Sequence, residues 1–460
     1  MKYINENEIF NIIKQAENYN EKEVIEILDK AKKLNRLSLK ETAILLSVKE
    51  KELLNEIFNS AKYIKNKIYG KRVVLFAPLY ISNYCVNHCV YCGFNCTNKE
   101  TKRKALNIEE IKEQTLQLLK RGHMRILLVT GEGLDNNEKY INYLCDAIKA
   151  IYSVEFKGLK IKRININCAP LTKEHFQKLK DCGIGTYQLF QETYHEETYR
   201  KVHLKGPKSD ADLRISALDK AFSVGIDDVG IGILFGLYDY KFEILAMLQH
   251  IEYLEKNYGV GPHTISVPRM EAAEGSDFAS NPPCPPSDDD FRKIVAILRL
   301  AVPYTGLILS TRESAESRNE LIDLGISQIS AESCTSPGGY SDNDKSSAQF
   351  EISDKRSLDE IVDFLMTKDY TPSFCAACYR KGRTGDVFMH IAKPGNIKNK
   401  CEINSILTLK EYLMNFATKN TKEQGEIFIK KSLSEMDDET KEITLNLLKK
   451  IENGEKDIFV

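Results

Sequence analysis

Two groups of three cysteines stand out in this chain of 460 residues. The first is Cys85-x3-Cys89-x2-Cys92, inside NYCVNHCVYCGF. Thiolates ligate iron–sulfur clusters, four of them for a complete 4Fe-4S cube. Three on one short loop hold three irons and leave the fourth open. An open iron makes a cluster a reagent, able to chelate a small molecule and pass it an electron. Zinc sites favour paired CxxC units and a fourth protein ligand, so a zinc knuckle is the weaker reading of this loop. His88 and Cys96 lie beside it but off the pattern. The second group is Cys375-x2-Cys378-x22-Cys401. Taken alone it is open between zinc and iron–sulfur, and its three thiols again leave one position free.

Those residues need elements to hold them. Residues 1–71 read as a helical extension, with Ser38 and Glu41 spaced as a capping box and Gly70 as a stop. From residue 72 the pattern changes to short apolar runs alternating with amphipathic stretches. The runs are VVLFAPLYIS, RILLVTGE, IKRININCA, TYQLFQET, DVGIGILFG, HTISVPR, GLILSTR and QISAES. Eight β-runs separated by helices predict an α/β fold of the (β/α)8 barrel type over 72–340. A doubly wound sheet is the competing architecture. Continuous apolar runs suit parallel strands buried on both faces. Their polar residues gather at the C-terminal ends: the cysteine loop, Gly131-Glu132, Gln191-Glu192, Arg269 and Arg312. Barrel active sites form at that face. The stretch SPGGYSDNDKSS is expected to leave the barrel, and 341–460 to form a C-terminal unit carrying the second cysteine group and terminal helices.

Bulk properties exclude several classes. Net charge is −1, from 65 basic and 66 acidic side chains, which gives no electrostatic case for nucleic acid or an anionic membrane. No apolar run reaches the ~20 residues of a spanning helix, and the N-terminal segment has no secretory pattern. A cytoplasmic location is expected. In a reducing compartment twelve cysteines do not read as a disulfide framework. Cys96, Cys145, Cys168, Cys182, Cys284 and Cys334 are expected to be mostly small buried residues.

The first triad, with an aromatic before its last cysteine and a place after the first β-run, resembles the radical S-adenosylmethionine (SAM) superfamily. That resemblance implies a 4Fe-4S cluster on Cys85, Cys89 and Cys92, whose open iron takes SAM and cleaves it to a deoxyadenosyl radical. It implies further SAM contacts. Thr130-Gly131-Glu132 is similar to the superfamily's Gly-Gly-Glu element, with Thr130 departing from it. Glu192 ends the fourth run, Arg214 resembles the arginine that meets the SAM carboxylate, and Gly232 lies in the adenine-side backbone element. The spacing Gly230-x-Gly232-x-x-x-Gly236 is wrong for a dinucleotide fingerprint.

With both triads in view, nearly the whole chain resembles the HydG family of FeFe-hydrogenase maturases, which are tyrosine lyases. The resemblance rests on LFAPLYISNYCVNHCVYCGF, GIGTYQLFQETYH, GIDDVGIGILFGLYDYKFE, GVGPHTISVPR, ILRLAVPYTGLILSTRE and the C-terminal cysteine segment. Glu271-Ala272-Ala273 departs from the more basic or proline-containing run expected after Met270. The resemblance implies cleavage of tyrosine to p-cresol and dehydroglycine. It implies an auxiliary iron–sulfur cluster on Cys375, Cys378 and Cys401, with an extra labile iron ligated by His263 and a bound cysteine. There the fragment would yield carbon monoxide and cyanide for the hydrogenase centre. Arg269 and Arg312 are candidates to clamp the tyrosine carboxylate, with Ser266 and Ser310 as nearby hydrogen-bond partners. A pairing of the arginines with carboxylates such as Glu313 is the structural alternative. The implied partners are a reductant protein such as ferredoxin or flavodoxin and other hydrogenase maturation proteins. The alternatives are the thiamine-pathway 2-iminoacetate synthase, which lacks the second triad, and a non-catalytic iron–sulfur scaffold.

Overall fold

The computed structural model describes residues 1–133, 138–341, 346–395 and 397–460. Four helices come first: α1 Glu6–Ala16, α2 Glu21–Lys32, α3 Leu39–Ser47 and α4 Lys51–Tyr69. The expected capping box forms: the Ser38 side chain accepts from the Glu41 N–H while Glu41 returns to the Ser38 N–H. Gly70 ends α4 at φ +61°. Two buried lysines tie this extension to the barrel by donating to backbone carbonyls. Lys293 Nζ reaches Val48 O at 2.7 Å and Lys65 Nζ reaches Ile322 O at 2.7 Å.

All eight apolar runs become strands: β1 Arg72–Ser82, β2 Arg125–Thr130, β3 Arg163–Asn167, β4 Tyr187–Gln188, β5 Val229–Gly232, β6 Thr264–Ser266, β7 Gly306–Leu309 and β8 Gln328–Ser330. Each pairs in parallel with the next, and β8 returns to β1 through Val74–Gln328, Leu75–Ile329 and Phe76–Ser330. The sheet is therefore a closed (β/α)8 barrel rather than an open doubly wound one. The strands are buried throughout most of their length because helices cover the outside.

A ninth strand, β9 Thr371–Ser373, runs parallel to the first residues of β1, with Arg72 opposite Thr371 and Val74 opposite Ser373. It follows the helix Leu358–Thr367, so backbone pairing continues past residue 340. The stretch after β8 does not leave the barrel. Ser347, and Gln349 and Phe350 after it, lie at the barrel mouth; residues 342–345 of that stretch fall outside the described residues. Helices Ile397–Asn415, Lys419–Ser434 and Asp438–Glu452 complete the chain. Among the described residues no helix is long and apolar enough to cross a membrane.

Candidate active site and second cysteine site

The first triad hangs from the end of β1 above the barrel mouth. Its loop is fixed on two sides by backbone. Toward β2, Gly131 N donates to Ser82 O at 2.8 Å and Val86 N to Glu132 O at 2.9 Å. Approach here is so close that a Cβ on Gly131 would stand 2.3 Å from Tyr84 O. On the other side His88–Cys89 pairs antiparallel with His203–Lys205. Two amides turn toward sulfur: Asn87 Nδ2 lies 3.7 Å from Cys85 Sγ, and Gln349 Nε2 lies 3.8 Å from Cys92 Sγ. Burial pushes the Cys85 thiol up to about 11, with Glu132 adding to it, and pushes the other two up as well.

Below the loop lies a cavity whose wall includes all three cysteines, Glu132, Glu192, Arg214, Ser266, Ser310 and Arg312. Its charges alternate. Arg214 Nη1 donates to Glu132 Oε1 at 2.7 Å, and Lys208 Nζ donates to Glu192 Oε1 at 2.7 Å. Asn87 Nδ2 donates to the second Glu132 oxygen at 2.6 Å. Burial opposes ionisation of Glu132, but Arg214 and Lys208 outweigh it and hold the carboxyl below its usual range. Glu192 sits at φ +73°, a left-handed backbone that non-glycine residues adopt rarely. Carboxylates and a guanidinium side by side match both ends of an amino-acid zwitterion.

The two arginine candidates separate. Arg312 is on the cavity wall, its guanidinium 3.4 Å from the Phe350 ring centroid. Burial lowers its pKa, and among the described residues no carboxylate stands within ion-pair distance of it. Arg269 is not on the wall. Its Nε donates to Glu313 Oε1 at 3.0 Å, its Nη2 donates to Glu313 Oε2, and its Nη1 donates to Asp288 Oδ1 at 2.7 Å. A substrate carboxylate at Arg269 would have to compete with these two resident ones. Gly232 also lies outside the wall. A Cβ there would meet the Phe190 ring at 2.8 Å, and it is Phe190 that lines the cavity. The glycine makes room for that ring.

The second triad gathers at the opposite, N-terminal end of the barrel. One small cavity is lined by Cys375, Cys378 and Cys401 together with His263, Arg72, Arg125 and Arg163. Register explains the assembly. β9 lies on β1 at Arg72–Val74, so Cys375 emerges two residues later beside the barrel floor. Arg125 Nη1 donates to Cys375 O. Cys401 sits on the helix Ile397–Asn415, where burial pushes its thiol up to about 12. His263 precedes β6, its ring 4.4 Å from that of Phe388. Burial draws its pKa down to about 4, with Asp228 opposing, so the imidazole is neutral near pH 7. Among the described residues its buried Nδ1 has no hydrogen-bond partner, and it lies 3.9 Å from Asp228 Oδ2. A neutral imidazole with an unfilled nitrogen is a competent metal ligand.

The donor sets fit clusters. Among the described residues no disulfide links any of the cysteines. Among the described residues no three ligands converge on one ion. A narrow third cavity in the barrel interior lies between the two sites. It shares Phe76, Leu127, Gln188 and Ile308 with the first and Arg125, Arg163 and Gln328 with the second.

Three participants escaped sequence reasoning. Asn87 sits inside the cysteine loop, where its type alone carries no signal. Lys208 lies in the charged stretch LKGPKSD, which reads as surface, yet it is buried. Gln349 reaches the site only because its segment folds back.

Comparison with known proteins gives a consistent picture. A radical SAM superfamily model matches residues 79–251. A Biotin and Thiamin Synthesis associated domain model matches 266–371. The 2-iminoacetate synthase of Escherichia coli is 31% identical over 354 residues, 75% of this chain and 89% of that protein. A crystal structure of HydG, a maturase of the FeFe-hydrogenase, is similar over 100% of both chains, with a TM-score of 0.96 and 48% identity. HydG from Carboxydothermus hydrogenoformans is similar over 96% of this chain and 97% of that one, with a TM-score of 0.84 and 41% identity.

Proposed function

The chain belongs to the radical SAM superfamily, within the HydG family of FeFe-hydrogenase maturases, and from that premise we propose that it is a tyrosine lyase serving hydrogenase maturation. It cleaves the tyrosine Cα–Cβ bond to p-cresol and dehydroglycine. The fragment then becomes carbon monoxide and cyanide at the second cysteine site. The observation that carries this reading is the pair of three-cysteine sites at opposite ends of one barrel, with a small interior cavity between them whose walls share residues with both.

Cys85, Cys89 and Cys92 would hold the SAM-binding 4Fe-4S cluster, which when bound with SAM supplies a deoxyadenosyl radical. Glu132 and Glu192 offer carboxylates to the SAM ammonium group, and Arg214 offers its guanidinium to the carboxylate. Arg312 holds the tyrosine carboxylate, with Ser266 and Ser310 beside it. Cavity walls such as Phe190, Leu234 and Met270 exclude water from the reacting centre. At the other end, Cys375, Cys378, Cys401 and His263 would hold an auxiliary cluster with an extra iron, to which a cysteine also binds. A reductant protein such as ferredoxin or flavodoxin supplies electrons, and other maturation proteins receive the product.

The test is anaerobic. Both clusters are reconstituted, and tyrosine, SAM and a strong reductant are added. The native protein is expected to release p-cresol and carbon monoxide, and Cys401→Ser to keep p-cresol and lose carbon monoxide. Absence of p-cresol with both clusters intact overturns the lyase assignment. Carbon monoxide persisting in Cys401→Ser overturns the role of the second site.

A further inference from the structure

The segment Asp457–Val460 follows the last helix and touches both pieces of chain that bring cysteines to the second site. Toward the Cys378 loop, Arg380 pairs with Asp457 at 2.7 Å, and its guanidinium lies 4.1 Å from the Phe459 ring centroid. Arg383 Nη2 donates to Val460 O at 2.6 Å. Toward the Cys401 helix, Val460 N donates to Asn404 Oδ1 at 2.9 Å, and Asn404 Nδ2 returns to Val460 O at 3.2 Å. Asp457 N donates to Glu411 Oε1 at 2.6 Å on the same helix. The segment also reaches the barrel floor, where Lys162 pairs with Asp457 at 3.1 Å and with Glu411 at 2.6 Å. Asp457 turns at φ +61° to make these contacts together.

Asn404 is itself on the wall of the second cavity, one helical turn from Cys401. The loop after Cys378 has little else to hold it. Gly382, at φ +64°, has nothing near the position a Cβ would take. Among the described residues the loop's other long-range side-chain hydrogen bonds are Tyr379 OH to Ile184 O at 2.5 Å and Thr384 Oγ1 to Asp227 at 3.4 Å.

We propose that Asp457–Val460 is a strap that holds the Cys378 loop and the Cys401 helix at the spacing a bound cluster requires, and so sets how firmly the second site keeps its iron. Its residues act through Arg380, Arg383 and Asn404 and are positioning residues. The inference rests on the reading that Cys375, Cys378 and Cys401 hold a cluster.

The experiment measures iron, acid-labile sulfide and the reduced-state paramagnetic resonance signals of the reconstituted protein, then the loss of iron to a ferrous chelator. The native chain, Cys401→Ser, the double variant Asp457→Asn/Phe459→Ser and a chain ending at Glu455 are compared. Lys456→Ala serves as the control, because the Lys456 side chain donates to Lys157 O and lies beside Gly158, away from Arg380, Arg383 and Asn404. Both strap variants are expected to shed second-site iron about tenfold faster or more, the scale of losing an outer-shell support. They should keep the first-site signal and p-cresol formation, with Lys456→Ala unchanged. Native rates of iron loss in the strap variants overturn the proposal, as does equal loss of both clusters. A native chain that never binds a second cluster overturns the earlier reading instead.

Discussion

Arg269 and Arg312 each end a barrel strand, and the sequence offers no way to rank them. Their neighbours do. Glu313, 2% exposed, claims Arg269, whereas Arg312 faces the cavity beside an aromatic ring and, among the described residues, forms no ion pair with a carboxylate. Arg312→Gln is expected to raise the tyrosine KM about tenfold or more, the cost of one charge-assisted hydrogen bond. SAM cleavage without tyrosine should stay near native. Steady-state p-cresol kinetics beside a deoxyadenosine assay checks this, and an unchanged KM removes Arg312 from the substrate. Arg269→Ala should act on folding instead. Leaving the buried Glu313 carboxylate unpaired costs about 3 kcal/mol, so the apoprotein should melt several degrees lower while the KM for tyrosine holds. A thermal melt that matches the native one would refute the structural role.

At the level of elements, the eight barrel strands were legible because parallel strands buried on both faces leave unbroken apolar runs such as VVLFAPLYIS and GLILSTR. β9 was not. Thr-Pro-Ser is short and polar and contains a proline, which sheets tolerate only at an edge. Its strand character comes from pairing with β1. The cysteine triads were legible because their spacing is local, while Lys208 and Gln349 reach the cavity through long-range folding that leaves no local pattern. The turn carrying Glu192 shows such a long-range device. Just beyond it, Tyr194 N donates to Glu243 Oε2 at 2.8 Å and Thr193 donates to the other oxygen. Burial raises the Glu243 pKa to about 8, against the lowering effect of those two bonds. The native state therefore holds a proton that the unfolded chain gives up near pH 4.5. Stability must fall as pH rises between those values, by up to about 1.4 kcal/mol per unit. Glu243→Gln should flatten that fall and melt higher than the native chain at pH 8. Parallel melting curves of the two proteins across pH 5 to 8 would dismiss Glu243 as the source.

For the whole molecule, the closed barrel is the scaffold and, on the function proposed above, its interior is the passage. Its floor and mouth carry the two sites, and the cavity at its waist is bounded by Leu127, Gln188 and Gln328. Leu127→Trp should narrow that waist. p-Cresol is expected within about twofold of native, since the change leaves the charged groups of the mouth in place. Carbon monoxide should fall, with glyoxylate from hydrolysed dehydroglycine appearing in solution. Undiminished carbon monoxide would mean that the fragment takes another path. This arrangement was only half legible: the eight-strand count and the two triads could be read, but the end of the barrel that receives the second triad is decided by the pairing of β9 with Arg72–Val74.

β1 carries a last consequence. Its first residues wall the floor site and its last lead into the Cys85 loop. Its eleven residues span about 33 Å at roughly 3.3 Å per step. One rigid strand thus works as a ruler between the two cysteine sites, and the barrel wall as insulation. With clusters on both triads, as proposed above, a charge delivered at the mouth stays there until it is spent, because electrons do not hop efficiently across such a length of protein without intermediate carriers. The two proposed clusters should then titrate as independent couples, each with its own potential.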